Sequence, residues 1–386
     1  MQLRSVLVDK LRFFEKKFTV YNNIYISKSA ILHNFDLLHS LMPDGFVIPV
    51  LKSNAYGHGL EQVSTILKER KFPYIAVDGY YEGLRVHMVS KQPVLVMGSI
   101  SHDNYAKINP SNFAFVIHDE PTVNAIGKTG KKFIVHIELE TGMGRYGVRL
   151  DELGDLLSII KKYNNIQIEG VMTHLADSDN PDSDEYVKLQ ANRFDNGVET
   201  IQKAGFMPKY FHIAQSAGSV KTTSKYANTI RTGIALYGIT PLGKTDKYSS
   251  KLKDLHPALS LTSTITKILK INKGESVSYG RTFIAKRDSI IGVLPLGYYE
   301  GIPRDLSNSG QVNLGSKYST IAGRVCMNHA MIDITGSNVK VGDKVTIISN
   351  IPDDKLSVNK ICSRHNLFNY SFLVGLNENI RRTIID

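Results

Sequence analysis

Short apolar runs recur from about Gly45, each followed by a loop and then a stretch of helical spacing. The runs cover residues 46–51, 74–77, 94–97, 113–117, 133–139, 166–172, 210–214 and 228–231. They are rich in Val, Ile and Phe and too short for helices, so they predict strands buried on both faces. Between them, "LDELGDLLSIIKKY" and "DEYVKLQANRFDNGVETIQKA" place apolar residues three and four apart behind acidic cap residues, which predicts amphipathic helices. Eight strands alternating with helices over some 200 residues predict a (β/α)8 TIM barrel. A doubly wound sheet is the alternative, but no GxGxxG or GxxxxGK[ST] turn is present.

After Leu242 the period changes. "SLTSTITKILKI", "SIIGVLPLG", "QVNLG", "STIAGRVCM", "HAMIDIT" and "DKVTIIS" are short, β-branched and separated by Gly, Asn and Asp. They predict a mostly β second domain that follows a linker near "PLGKTDKYSSKLKD". At the start, Leu3, Val6, Leu7, Leu11 and Phe14 have the spacing of a short amphipathic helix. The expected organisation is therefore a helical extension over 1–18, a barrel over 19–244 and a β domain over 245–386.

Composition changes this picture little. The 386 residues are 42% hydrophobic and 22% charged, with a formal net charge of +11. The 47 Lys and Arg residues are scattered rather than gathered into a stripe with aromatics, so the charge fits an acidic small molecule or a phosphate better than nucleic acid. Cys326 and Cys362 form no CxxC pair, and histidines occur singly, giving no support for a disulfide framework or a metal site. Without a secretory signal or an apolar run of about 18 residues, the expected location is the cytoplasm, away from membranes.

The chemistry lies at strand ends, where barrels of this kind carry their active-site groups. Lys52 and Tyr56 follow the first strand and Arg145 the fifth; His174 ends the sixth, Ser216 follows the seventh and Arg231 ends the eighth. Singly, each has an ordinary explanation, such as a solvated lysine, a core histidine or surface ion pairs worth about 0–1 kcal/mol. Together they put six polar groups on one face. Barrels commonly bind phosphate at the loops after strands seven and eight, and here that region offers the Ser216 hydroxyl with the amides of Gly233 and Ile234. A phosphate site beside a strand-end lysine suggests a Schiff base, and so pyridoxal 5'-phosphate.

"VLKSNAYGHG", "ETGMGRYGV", "GVMTHLADSD", "IRTGIALYG", "VSYGRTFIAKRDS", "LPLGYYEG" and "GRVCMNHAMID" together resemble the alanine racemase family of fold-type III pyridoxal-phosphate enzymes. The resemblance runs from about residue 22 to the C-terminus. It implies a cytoplasmic homodimer that interconverts L- and D-alanine and so supplies D-alanine for peptidoglycan precursors. Lys52 would hold the cofactor covalently and act as one base, and Tyr279, supplied by the partner subunit, as the other. Arg231 would meet the pyridine nitrogen, His174 the ring, and Tyr56, Ser216, Gly233 and Ile234 the phosphate. Arg145 would touch the cofactor's phenolic oxygen or the substrate, and the Met327 backbone the substrate carboxylate. A tyrosine base near neutral pH needs neighbouring cations, for which Arg231 and a charged His174 are the expected sources.

Four positions depart from the family's pattern. Glu138 stands where a carbamylated lysine usually orients the arginine, and is expected to replace it by pairing with Arg145 directly or through water. Gln215 replaces an Asn, and Asn328 an Asp. The tyrosine that usually reaches the phosphate from the C-terminal block is missing from "LVGLNENIRR", leaving Asn377, Glu378 or Asn379 in its place. These changes keep racemases of serine, lysine or broad range open, along with a fold-type relative that decarboxylates and a cofactor-binding homologue without turnover.

Overall fold

The fold is described from a computed structural model over residues 18–386. The amphipathic helix expected over 1–18 falls, Phe18 apart, outside the described residues.

All eight apolar runs are strands. Strand β1 (Asn23–Ser27) and helix α1 (Lys28–Ser40) lead into β2 (Phe46–Pro49), α2 (Leu60–Ile66), β3 (Ile75–Val77), α3 (Tyr80–Ser90) and β4 (Val94–Val96). Then come β5 (Phe113–Ile117), α4 (Glu120–Gly127), β6 (Phe133–Glu138), α5 (Leu153–Ile160) and β7 (Ile166–Met172). Helix α6 (Asp184–Lys203), β8 (Tyr210–His212) and β9 (Thr229–Thr232) complete this part. Strands β3 to β8 pair in sequence order and β2 pairs with β9, all in parallel. Bridges between Val50 and Ala76 and between Ala214 and Ile230 join the two sets, closing an eight-stranded barrel.

The two-residue period of the strands sorts their side chains. Ile48, Val50, Ala76, Leu95, Ala114 and Val116 fill the barrel interior. Val47, Ile75, Val77, Phe113, Phe115, Phe133 and Val135 face the surrounding helices. On β6 the interior positions are Ile134, His136 and Glu138, so the last of these reaches the mouth.

The second domain contains β10 (Leu259–Thr264), β11 (Lys267–Ile271), β12 (Ser276–Val277), β13 (Phe283–Ile284), β14 (Ser289–Leu294), β15 (Gln311–Asn313), β16 (Tyr318–Thr320), β17 (Ala330–Asp333) and β18 (Lys344–Ile348). It ends with α7 (Val358–His365), α8 (Asn369–Val374) and β19 (Arg381–Ile385). Its largest sheet has the order β16-β15-β18-β10-β1-β19. Strand β1 thus sits between β10 and β19, antiparallel to the first and parallel to the second, although it precedes the barrel in sequence. This pairing ties the start and end of the described chain to one sheet. No helix among the described residues is long and apolar enough to cross a membrane.

Candidate active site

The C-terminal mouth of the barrel opens into a cavity of about 610 Å³. Lys52, Tyr56, Arg145, His174, Ser216, Arg231, Gly233 and Ile234 all line it. The groups singled out at strand ends are therefore brought together.

Lys52 is positioned by a strained turn. The amides of Val50 and Leu51 bond Thr232 and Ala76 of the flanking strands at 2.8 Å each, fixing the strand end. Ser53, Asn54, Ala55 and Tyr56 then have φ of 51–55°, a left-handed run that costs each of these residues roughly 1–2 kcal/mol. Contacts from several elements hold it. Glu82 accepts the Ser53 amide at 2.7 Å, Asn54 Oδ1 accepts the Leu60 amide at 2.8 Å, and Arg382 Nε donates to the Gly57 carbonyl at 2.9 Å. Gly57 is required there, because a Cβ would lie 2.0 Å from the Leu373 carbonyl oxygen of α8.

Ser216 is buried and its Oγ accepts the amides of Gly233 and Ala235, at 3.1 and 3.2 Å. Those bonds use its lone pairs and leave its O–H free to donate. A Cβ on Gly233 would lie 2.5 Å from the Tyr56 hydroxyl, so glycine lets this phenol come close. Burial keeps Tyr56 protonated, as a donor. A hydroxyl free to donate, a neutral phenol and a backbone approached without a Cβ suit a phosphate. With the Lys52 amine in the same cavity, the residues fit pyridoxal phosphate.

Arg231 is 2% exposed. Its Nη1 donates to the His212 carbonyl and to His212 Nδ1 (3.0 Å), and its Nη2 to the Thr173 carbonyl (2.6 Å) and towards His174 Nδ1 (3.4 Å). Burial lowers its pKa to about 10, which still leaves it a cation near neutrality. His174 differs from expectation. Burial first, then Arg231, Arg145 and Lys52, lowers its pKa to about 3, so it is neutral and adds no charge to the site. Arg231, Arg145 and Lys52 supply the positive field.

Glu138 is 5% exposed at the end of β6, and burial raises its pKa against the pull of Arg231, Arg145 and His118. It influences Arg145 through space; no hydrogen bond joins the pair. Arg145 lies on a loop whose Gly142, Gly144 and Gly147 have positive φ, folded around the Glu140 carboxylate, which accepts the amides of Gly142 and Gly144.

Tyr279 and Met327 are not among the cavity's lining residues. They lie on neighbouring loops of the β domain, 70% and 56% exposed. Ser278, beside Tyr279, bonds the Arg324 carbonyl at 2.6 Å and meets Cys326 Sγ at 3.5 Å, beside Met327. Asn328 donates to Glu300 at 2.9 Å, a contact that an aspartate would turn into repulsion. Gln215 donates to Ser178 and accepts the Gly218 amide, each at 2.7 Å, fastening the loop ahead of Ser216.

The expectation for the C-terminal block is corrected. Asn377, Glu378 and Asn379 lie off the cavity, with the first two offering carbonyls to Arg382. A tyrosine does reach the cavity: Tyr370, on α8, with its ring centroid 6.0 Å from that of Tyr56. Its sequence signal is "FNYSFLVGL", where it stands three residues before "LVGLNENIRR". Asp78, Tyr146, Asp179 and Phe368 also line the cavity, and no motif in the sequence points to them.

Family models described as alanine racemase N-terminal domain and alanine racemase C-terminal domain match residues 26–241 and 258–384. An alanine racemase of Citrifermentans bemidjiense is 32% identical over 92% of this chain and 95% of its own. An alanine racemase 2 of Caldanaerobacter subterraneus is 32% identical over 94% of each. Among solved structures, an alanine racemase of Bacillus anthracis with bound L-Ala-P superposes at a TM-score of 0.86, with 28% identity over 96% of each chain. That of Clostridium difficile 630 reaches 0.88, with 26% identity over 96% of this chain and 97% of its own. The chain belongs to the alanine racemase family.

Proposed function

We propose that the protein interconverts L- and D-alanine by a two-base mechanism, using pyridoxal phosphate held at Lys52. The observation that carries this is one cavity lined by Lys52, the Ser216–Gly233 anion cradle and the Arg231 cation. When bound, the cofactor spreads negative charge from the substrate's Cα over a conjugated ring and so acidifies Cα–H. Lys52 works on one face of that carbon. Tyr279 of the partner subunit works on the other, which fits its exposure on the β domain and its absence from its own cavity. A positioned base of this kind contributes about 10²–10⁴-fold.

Tyr56, Ser216, Gly233 and Ile234 hold the phosphate, joined by Tyr370. Neutral His174 would lie at the ring. Arg231 would offer the ring nitrogen a hydrogen bond and keep its own proton, because a guanidinium does not act as an acid near neutrality. Such a contact would limit charge withdrawal into the ring and disfavour transamination. Arg145 meets the cofactor's phenolic oxygen or the substrate, with Glu138 as a nearby charge, and the Met327 backbone of the partner subunit meets the substrate carboxylate. The working form is a cytoplasmic homodimer with composite sites, and its product serves as a peptidoglycan precursor. Replacement Lys52→Ala should abolish the absorption band of covalently held cofactor and racemisation together. Racemisation that persists in K52A would refute the assignment.

A further inference from the structure

Beneath Arg231 the barrel interior holds two histidines that the proposed reaction does not use. His212 Nε2 and His136 Nδ1 are 2.8 Å apart, and both residues are fully buried. With the bond from Arg231 Nη1 to His212 Nδ1, they make a three-member chain running down from the cavity floor. Space for the last member is made on the neighbouring strand, where a Cβ on Gly170 would sit 2.3 Å from His136 Nδ1.

The proton positions follow from the end that has only one choice. A guanidinium donates and never accepts, so His212 Nδ1 must present its lone pair. A neutral His212 then carries its proton on Nε2 and donates to His136, whose Nδ1 is therefore also a lone pair. His136 keeps its proton on Nε2, a buried atom with no acceptor among the described residues. Its ring lies among Tyr74, edge-on at 5.4 Å, and Tyr210, stacked at 6.0 Å.

We propose that His136 is a positioning residue for Arg231: it locks His212 in the Nε2–H tautomer and so fixes the guanidinium that faces the cofactor. The last clause rests on the function proposed above. The charged groups around the pair support neutrality. Arg231 from β9 is a cation in direct contact; Tyr74 and Tyr210 are the other titratable rings facing it, and the Glu169 carboxylate is engaged by the Tyr74 hydroxyl. Burial and the Arg231 charge both push the pKa values of the two imidazoles down. A proton added to either ring would need a lone pair already in use or a site against a cation.

The test begins with nitrogen NMR of the full chain labelled in histidine, with and without added pyridoxal phosphate. His136 and His212 should both show the neutral Nε2–H signature, unchanged between about pH 5 and pH 8. A proton on His212 Nδ1, or a charged ring at either position, would overturn the proposal. This result does not depend on where the cofactor ring lies, so it stands apart from the functional assignment. The variants then test positioning. His136→Asn places an amide oxygen near the lost Nδ1 and should keep cofactor affinity close to that of the parent. His136→Leu removes the acceptor and should weaken cofactor binding by roughly tenfold. Equal affinity in the two variants would contradict a positioning role. If the leucine variant does not fold, the unaltered chain still tests the arrangement, because a proton on His136 Nδ1 would break the chain from Arg231 to His136 and overturn the proposal.

Discussion

The rings of Tyr56 and Tyr370 pack with centroids 6.0 Å apart, joining the turn after Lys52 to a helix some 300 residues later. Burial raises the pKa of both phenols, that of Tyr370 to about 12, so each is a donor at neutral pH. Replacement Tyr370→Phe keeps the packing and removes one donor. It should weaken pyridoxal phosphate binding by about tenfold, the value of one hydrogen bond to a charged group. Titration of the variant with the cofactor checks this, and an unchanged dissociation constant would place Tyr370 outside the phosphate site.

Glu138 gives a pH dependence of definite sign. Its folded pKa lies above the ordinary carboxylate value, chiefly through burial. Its contribution to stability is therefore full below the unfolded value of about 4.3 and declines as pH rises through the folded value. In cofactor-free protein, the stability of the parent relative to Glu138→Gln should fall over that interval and then level off. Chemical denaturation of both proteins as a function of pH measures it; parallel curves would show that Glu138 is not desolvated.

The buried imidazoles act at acid pH. Burial lowers the pKa values of His58, His136 and His174 to about 3, below the unfolded value of about 6.5. Below that value the unfolded chain takes up protons that the folded chain refuses, so stability is lost as pH falls towards 3. Each histidine contributes up to about 1.4 kcal/mol per pH unit. His58 does not line the cavity, so His58→Gln should flatten the fall in denaturation midpoint between about pH 6.5 and 4.5 without altering cofactor affinity. An unchanged slope would contradict a neutral buried His58.

The barrel was legible in sequence because its strands are buried on both faces and read as unbroken apolar runs. So were the groups at their C-terminal ends, once eight strands had been counted. What escaped depends on distant parts of the chain. Strand β1 alternates like any other short strand, and nothing local says that "NIYIS" pairs with β10 and β19 rather than opening the barrel. Tyr370 reaches the cavity because α8 docks on the Lys52 turn, a contact between residues some 300 positions apart that no local pattern encodes. The neutrality of His174 also follows from the folded chain, since burial and three cations act on it together.

The two-base scheme predicts an asymmetry. Tyr279→Phe removes the base for one face of Cα and leaves Lys52 for the other. Under single-turnover conditions in D₂O, one alanine enantiomer should lose its α-proton far more slowly than the other, by roughly the 10²–10⁴-fold contributed by a positioned base. Comparable exchange from both enantiomers in this variant would contradict the role given to Tyr279.

The most direct test of the central claim is loss of the α-proton NMR signal of L- and of D-alanine in D₂O, with the protein loaded with pyridoxal phosphate and serine and lysine run alongside. Exchange from both alanine enantiomers that keeps pace with formation of the mirror-image amino acid, and exceeds that of serine and lysine, is the predicted result. A protein that binds the cofactor at Lys52 yet exchanges no α-proton of alanine would contradict it.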